Sequence, residues 1–206
     1  MSSPQTVMQE LEAQLGGSPT ARTFSIMRQI TDMFVEGAEV FSVSQIQVFD
    51  DLLCRLLEHN GPAAAVEVST KLAPLPKGPA KVVRRLTGDN DLAVSGPFLR
   101  SSCIIPDEDL VQFVKTKRKE YLALLAARPQ LSEAVTDVLI DRGDVEVMRI
   151  LVANRGAKIS EGGFARLISE AKQNKEMTGM LLNRPDLPDE LKPFAEMNFK
   201  KLSGVR

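Results

Sequence analysis

The side chains able to do chemistry in this sequence are mostly cations. Lys115, Lys117, Arg118 and Lys119 fill four of five consecutive positions, and Lys77, Lys81, Arg84, Arg85 and Arg100 precede them. Three further arginines, Arg128, Arg155 and Arg184, each stand immediately before a Pro or Gly. Cations grouped in this way suit phosphate or carboxylate, and a guanidinium takes either in a bidentate grip. If Arg128, Arg155 and Arg184 stack, they form an anion-binding ladder along one edge of the fold. If they do not, each is a cation at a helix C-terminus, complementing the dipole and capping carbonyls. The lysine cluster has the same two readings. It is a patch for a partner, helped by Lys77, Lys81, Arg84 and Arg85 where they face the same way, or a solvated junction, since four cations in five positions cannot share one helical face.

Other chemistry is thinly supplied. Asp89, Asp91, Asp107, Glu108 and Asp109 lack EF-hand spacing, and the last three suit the first turn of a helix, at the positive end of its dipole. His59 is the single histidine, between Glu58 and Asn60, with no partner for a zinc site and no nucleophile motif beside it. It reads as a helix cap. Cys54 and Cys103 stand among aliphatic residues outside any Cys-x-x-Cys and read as small hydrophobes. Gly88-Asp89-Asn90 and Glu161-Gly162-Gly163 are turn chemistry, with no Walker or dinucleotide fingerprint. With no Trp and one Tyr, base-stacking platforms are scarce too. No catalytic residue, cofactor or metal is expected.

The elements that must position the cations are helices in a repeat. Leu125-Ala126-Ala127-Arg128-Pro129-Gln130-Leu131-Ser132 recurs in variant form at Leu151 to Ser160 and at Leu181 to Pro188. Each copy closes an apolar helix, breaks it with Pro or Gly, then sets one aliphatic residue before a Ser or Pro that opens the next helix. The aliphatic markers Leu131, Ile159 and Leu187 lie 28 residues apart (159 − 131 and 187 − 159), and Ile105 lies 26 before Leu131. That period suits a short helical pair.

Upstream, Val7, Met8, Leu11 and Leu15 have helical spacing before Gly16-Gly17, and Phe24, Met27, Ile30 and Phe34 mark a second helix. Ser44 and Gln47 fit a capping box that opens a long apolar helix ending near Asn60-Gly61-Pro62. Beyond it the helices shorten. Pro97 is expected to kink or split the helix over 91–101, and Lys192-Pro193 to interrupt the segment that starts at Pro188. Asp144 and Ser160 are candidate N-caps, and Gly143 a left-handed C-terminal position.

The sequence therefore predicts an all-α fold, a right-handed solenoid of short HEAT-like helical pairs over 61–206 behind an N-terminal helical cap over 1–60. The charge is close to balanced, with 26 basic against 27 acidic residues, but unevenly spread. Residues 1–60 carry 3 basic and 8 acidic side chains, residues 61–128 carry 11 and 7, and residues 129–206 carry 12 and 12. Any basic face lies mid-chain. With no leader-type apolar segment or long apolar run, a soluble, cytoplasmic chain without membrane contact is expected.

The runs Asp91 to Leu99, Ile105 to Leu110, Ala126-Ala127-Arg128 with Leu131-Ser132, and Gly143-Asp144, continuing through Leu151 to Phe164, resemble a bacterial domain-of-unknown-function family, number 2336. The resemblance spans roughly residues 60–190. It implies HEAT-type helical repeats and carries no biochemical activity with it. Where the family tends to have His one turn before the Ala-x-Arg segment, this chain has Tyr121, which speaks against a titrating group there.

Two functions compete. The first is a non-catalytic scaffold that binds a protein or peptide on its helical-repeat surface, with Arg100, Lys115, Lys117, Arg118, Lys119, Arg128, Arg155 and Arg184 as candidate contacts. The acidic cap and the balanced last repeats single out the middle repeats as a site for an acidic partner. The second is a nucleic-acid-binding HEAT-like protein using the same basic segment, disfavoured by the overall balance of charge.

Overall fold

The computed structural model describes residues 21–101 and 104–203. The expected helix around Val7 to Leu15, and Cys103, lie outside the described residues. Twelve α-helices occupy most of the described chain, and β-structure is limited to one isolated parallel bridge between Leu131 and Ala157. Contacts divide the molecule into two compact units, Met1–Ile105 and Pro106–Arg206. The sequence places its division after residue 60, where the helices shorten.

The first unit contains α1 (Ala21–Gly37), α2 (Val43–His59), α3 (Pro62–Leu72), α4 (Ala80–Thr87) and α5 (Leu92–Ser101). Helix α1 buries Met27, Ile30 and Phe34, one stripe of a 3.6-residue period. It packs on α2 and α3, while α3 packs on α5 and α2 on α4. Phe34, Phe41 and Phe49 close the α1–α2 corner with ring centroids 5.0 to 6.0 Å apart. The capping box that opens α2 is formed by Ser42 and Gln45, not by Ser44 and Gln47. Two Ser-x-x-Gln frames overlap there, and the earlier one starts the helix at Val43. Helix α5 runs unbroken through Pro97. The carbonyl deprived of its helical donor is that of Ala93, which is exposed, so water can satisfy it.

The second unit contains α6 (Asp107–Thr116), α7 (Lys119–Ala126), α8 (Glu133–Asp141), α9 (Val145–Ala153), α10 (Glu161–Glu170), α11 (Lys175–Leu182) and α12 (Lys192–Ser203). A 3₁₀ turn over Ala171–Gln173 follows α10. Helix α6 packs on α8 and α8 on α10, while α7 packs on α9 and α9 on α11. The unit thus holds two rows of alternate helices, with Leu110, Val114, Leu122, Leu125, Leu139, Leu151, Leu167 and Leu181 among its buried residues. Asp144 accepts from the Glu146 and Val147 amides and Ser160 from the Gly163 amide, both as N-caps. Gly143 has φ of 70°, the left-handed conformation its position between two helices demands. Pro193 is the second residue of α12, where its missing N–H costs nothing, so it opens that helix instead of interrupting it.

Candidate functional site

Helices of the second unit are joined alternately by short turns, over 117–118, 142–144 and 171–174, and by longer loops, over 127–132, 154–160 and 183–191. The cationic residues sort between the two. Lys115 ends α6, Lys117 and Arg118 are the first turn, and Lys119 begins α7. Arg128, Arg155 and Arg184 all lie in the loops. Since α7 separates Lys119 from Arg128, the two sets occupy opposite ends of that helix.

Within the turn, Lys115, Arg118 and Lys119 are exposed and Lys117 is half-buried. The Lys117 ammonium rests 5.6 Å from the centre of the Phe113 ring and 5.3 Å from that of Tyr121. Those rings meet edge to face at 6.1 Å. A cation over two aromatic faces is held without losing its charge. A residue missed by the sequence reading supports the backbone beneath. Arg142, in the next turn, donates from Nη1 to the carbonyls of Val114 and Lys115, each at 2.9 Å, and from Nη2 to that of Lys117 at 3.2 Å. The turn and its flanks thus hold Lys115, Lys117, Arg118 and Lys119 with Glu120 following, and Arg142 reaches them from a turn that also carries Asp141 and Asp144. Arg100, at the end of α5, is exposed but belongs to the first unit.

The loop arginines have three different environments. Arg155 is exposed and Arg128 is buried. Arg184 is 2 % exposed, and all its nitrogens are engaged. Its Nη1 donates to the carbonyls of Leu151, Val152 and Asn154, its Nη2 to that of Ala157 at 2.9 Å, and Nε and Nη2 grip Asp186 at 2.9 and 2.7 Å. This guanidinium caps the C-terminal carbonyls of α9 from the loop after α11, so its donors are spent inside the fold. The equivalent task at the end of α7 falls to Asn154, whose amide donates to the carbonyls of Ala126 and Arg128 at 2.8 and 2.6 Å. Neighbouring loops are further tied by Leu131, which donates to the Gly156 carbonyl and accepts from the Lys158 amide.

A cavity of about 250 Å³ lies between α8 and α10, lined in part by Asp137, Asp141, Ser160 and Arg166. Its polar groups are already paired, since the Ser160 hydroxyl donates to Asp137 at 2.7 Å and Arg166 pairs with Asp141. A hydroxyl bonded to a carboxylate with no imidazole in reach is a helix cap, with no base strong enough to make it a nucleophile. His59 bonds through Nδ1 to the Arg55 carbonyl, four residues back along its own helix. Burial pushes the Cys54 thiol above its ordinary range, so it is a poor nucleophile. Among the described residues, no three His, Cys, Asp or Glu side chains converge in a way that would hold a metal ion.

Residues 94–192, from within α5 to the first residue of α12, match the model of a family described as an uncharacterised protein conserved in bacteria (DUF2336). The match bears out the resemblance read from the sequence over those residues, while starting later than residue 60. No curated protein matches the chain, and no solved structure does. No helix among the described residues is long and apolar enough to cross a membrane.

Proposed function

We propose that this chain is a non-catalytic binding scaffold that takes an acidic segment of a partner protein at the α6–α7 turn. The helical pairs of residues 107–182 are read as steps of a right-handed, HEAT-like solenoid, a reading supported by each helix packing on the one two places along. The observation that carries the function is the cationic turn itself, with Lys115, Lys117, Arg118 and Lys119 within five consecutive positions on a backbone that Arg142 holds. Charge there acts mainly on encounter rate and on its salt sensitivity.

Nucleic acid is the weaker reading, because the positive run is short. In the next turn Asp141, Arg142 and Asp144 sum to −1, and in the third Glu170, Lys172, Lys175 and Glu176 sum to zero. A duplex needs phosphates neutralised over a longer track. The test compares wild type with the Lys117→Glu, Lys119→Glu double variant against a Glu-rich peptide and a DNA duplex across a salt series. The expected result is peptide binding by wild type, with association by the variant slowed about tenfold or more at low salt. Equal binding by both proteins, or a preference for duplex, overturns the proposal.

A further inference from the structure

The cationic turn is tied by more contacts than two residues between helices require, and a residue outside it supplies several of them. Arg142 follows α8, and its guanidinium reaches across to three acceptors at and just beyond the end of α6, the carbonyls of Val114, Lys115 and Lys117. The next residue, Gly143, is left-handed, which turns the chain into α9. From the other side, Phe113 and Tyr121 receive the Lys117 ammonium on their faces. Phe113 and Tyr121 are themselves buried, at 8 % exposure each, so this platform is fixed by the core. Lys117 is therefore restrained at both ends, at its carbonyl by Arg142 and at its ammonium by two rings.

We propose that Arg142 is the positioning residue of the binding turn: it preorganises the backbone of 114–117 so that the four cations face an acidic partner without first having to be ordered. This inference rests on the acidic-partner reading above. Two physical points support it. A flexible lysine turn loses rotamer and backbone freedom on binding, and a turn already held does not. A planar guanidinium can satisfy three carbonyls from one position, whereas an ammonium is a compact point donor that cannot span the same fork. Substituting Lys at this position keeps the charge and loses the fork. Preorganisation then separates from electrostatics, because encounter depends on charge and residence on order.

The experiment measures association and dissociation of an immobilised Glu-rich peptide by wild type, by Arg142→Lys and by Lys117→Glu, Lys119→Glu, together with amide hydrogen exchange of each free protein. For Arg142→Lys the expected result is dissociation faster by about tenfold, association within about twofold of wild type, an unchanged salt slope, and faster exchange over 114–119. The double reversal should instead slow association, and because Lys117→Glu also removes the ammonium from the Phe113 and Tyr121 rings, some faster exchange at the turn is expected with it. Phe113→Leu keeps an apolar core residue and removes the ring beneath Lys117. It should give a weaker form of the Arg142→Lys pattern, which keeps the idea testable should Arg142→Lys not fold. A general loss of stability would lower the active fraction and leave the dissociation rate of bound molecules unchanged. Unaltered exchange over 114–119 in Arg142→Lys, or altered exchange with wild-type dissociation, overturns the positioning role. Failure of wild type to bind the peptide overturns the acidic-partner reading, and this inference with it.

Discussion

The two units use one packing scheme, rows of alternate helices, yet they tie those rows together with opposite chemistry. In the first unit several links run through carboxylates. Asp50, buried on α2, accepts from the Lys81 and Val82 amides at 2.9 Å each and so caps the N-terminus of α4. Glu67 on α3 is gripped by Arg28 of α1 at 2.7 and 2.9 Å, and Lys71 bridges Glu67 to Asp32. In the second unit the principal links run through donors that carry no carboxylate. Arg142, Asn154 and Arg184 cap helix C-termini across repeats, and Asn198 of α12 donates to the Ile168 carbonyl of α10 at 3.0 Å. Carboxylates titrate within reach of mild acid, while guanidinium and amide groups do not. The second unit also carries carboxylate links, Ser160 to Asp137 and Arg166 to Asp141 between α8 and α10, beside its carbonyl clamps.

The comparison breaks most readily at Arg184. Arg184→Ala would leave several buried carbonyls and the Asp186 carboxylate without their donor, at a cost of about 3 to 5 kcal/mol in chemical denaturation. A loss below about 1 kcal/mol would show that water replaces the clamp. Gly156→Ala comes next. A β-carbon there would run into the carbonyl oxygen of Pro129, so the loops joined by Leu131 must part, costing about 1 to 3 kcal/mol. Wild-type stability would mean that these loops slide freely. Gly143→Val is smaller, about 1 kcal/mol, because the space around its β-carbon is open and the penalty is backbone strain alone. An unchanged melting temperature would contradict the left-handed assignment.

The smallest effect sharpens the contrast. The Arg28 guanidinium, aided by Lys71, holds the Glu67 carboxyl down to about 2 from an ordinary 4.5. A depressed carboxyl pKa stabilises the fold above the unfolded value and loses that contribution as pH falls through the folded one. The first unit should therefore weaken from about pH 4.5 down to about 2. Glu67→Gln should flatten that slope in an acid titration of stability. A variant with the wild-type slope would assign the acid sensitivity elsewhere.

Much of this arrangement was legible in the sequence, for reasons the structure makes concrete. The markers Leu131, Ile159 and Leu187 are all buried, at 4, 8 and 3 % exposure, as an aliphatic residue set between two packed helices should be. Asp144, Ser160 and Gly143 were readable because capping and left-handed turns depend on a few neighbouring residues. The start of α2 was not, because Ser42 and Ser44 offer rival frames with the same chemistry and only tertiary packing selects one. The fates of Arg128, Arg155 and Arg184 were hidden as well. Each precedes a helix breaker, but burial depends on which residue the neighbouring repeat brings against it, and in the loop after α9 the clamping role passes to Asn154. Arg142 escaped notice because its acceptors are backbone carbonyls 25 to 28 residues away, which leave no residue-type signature.

The most direct test of this account is amide hydrogen exchange resolved along the chain, expressed as protection factors at about pH 6 and about pH 3, a window set by the Glu67 shift. The predicted result is a loss of protection in α1 and α3 at the lower pH, with α8 to α11 retaining theirs. Equal loss in both units, or earlier loss in the second, would contradict the claim that the carboxylate links between α1 and α3, and not the carbonyl clamps, carry the acid sensitivity.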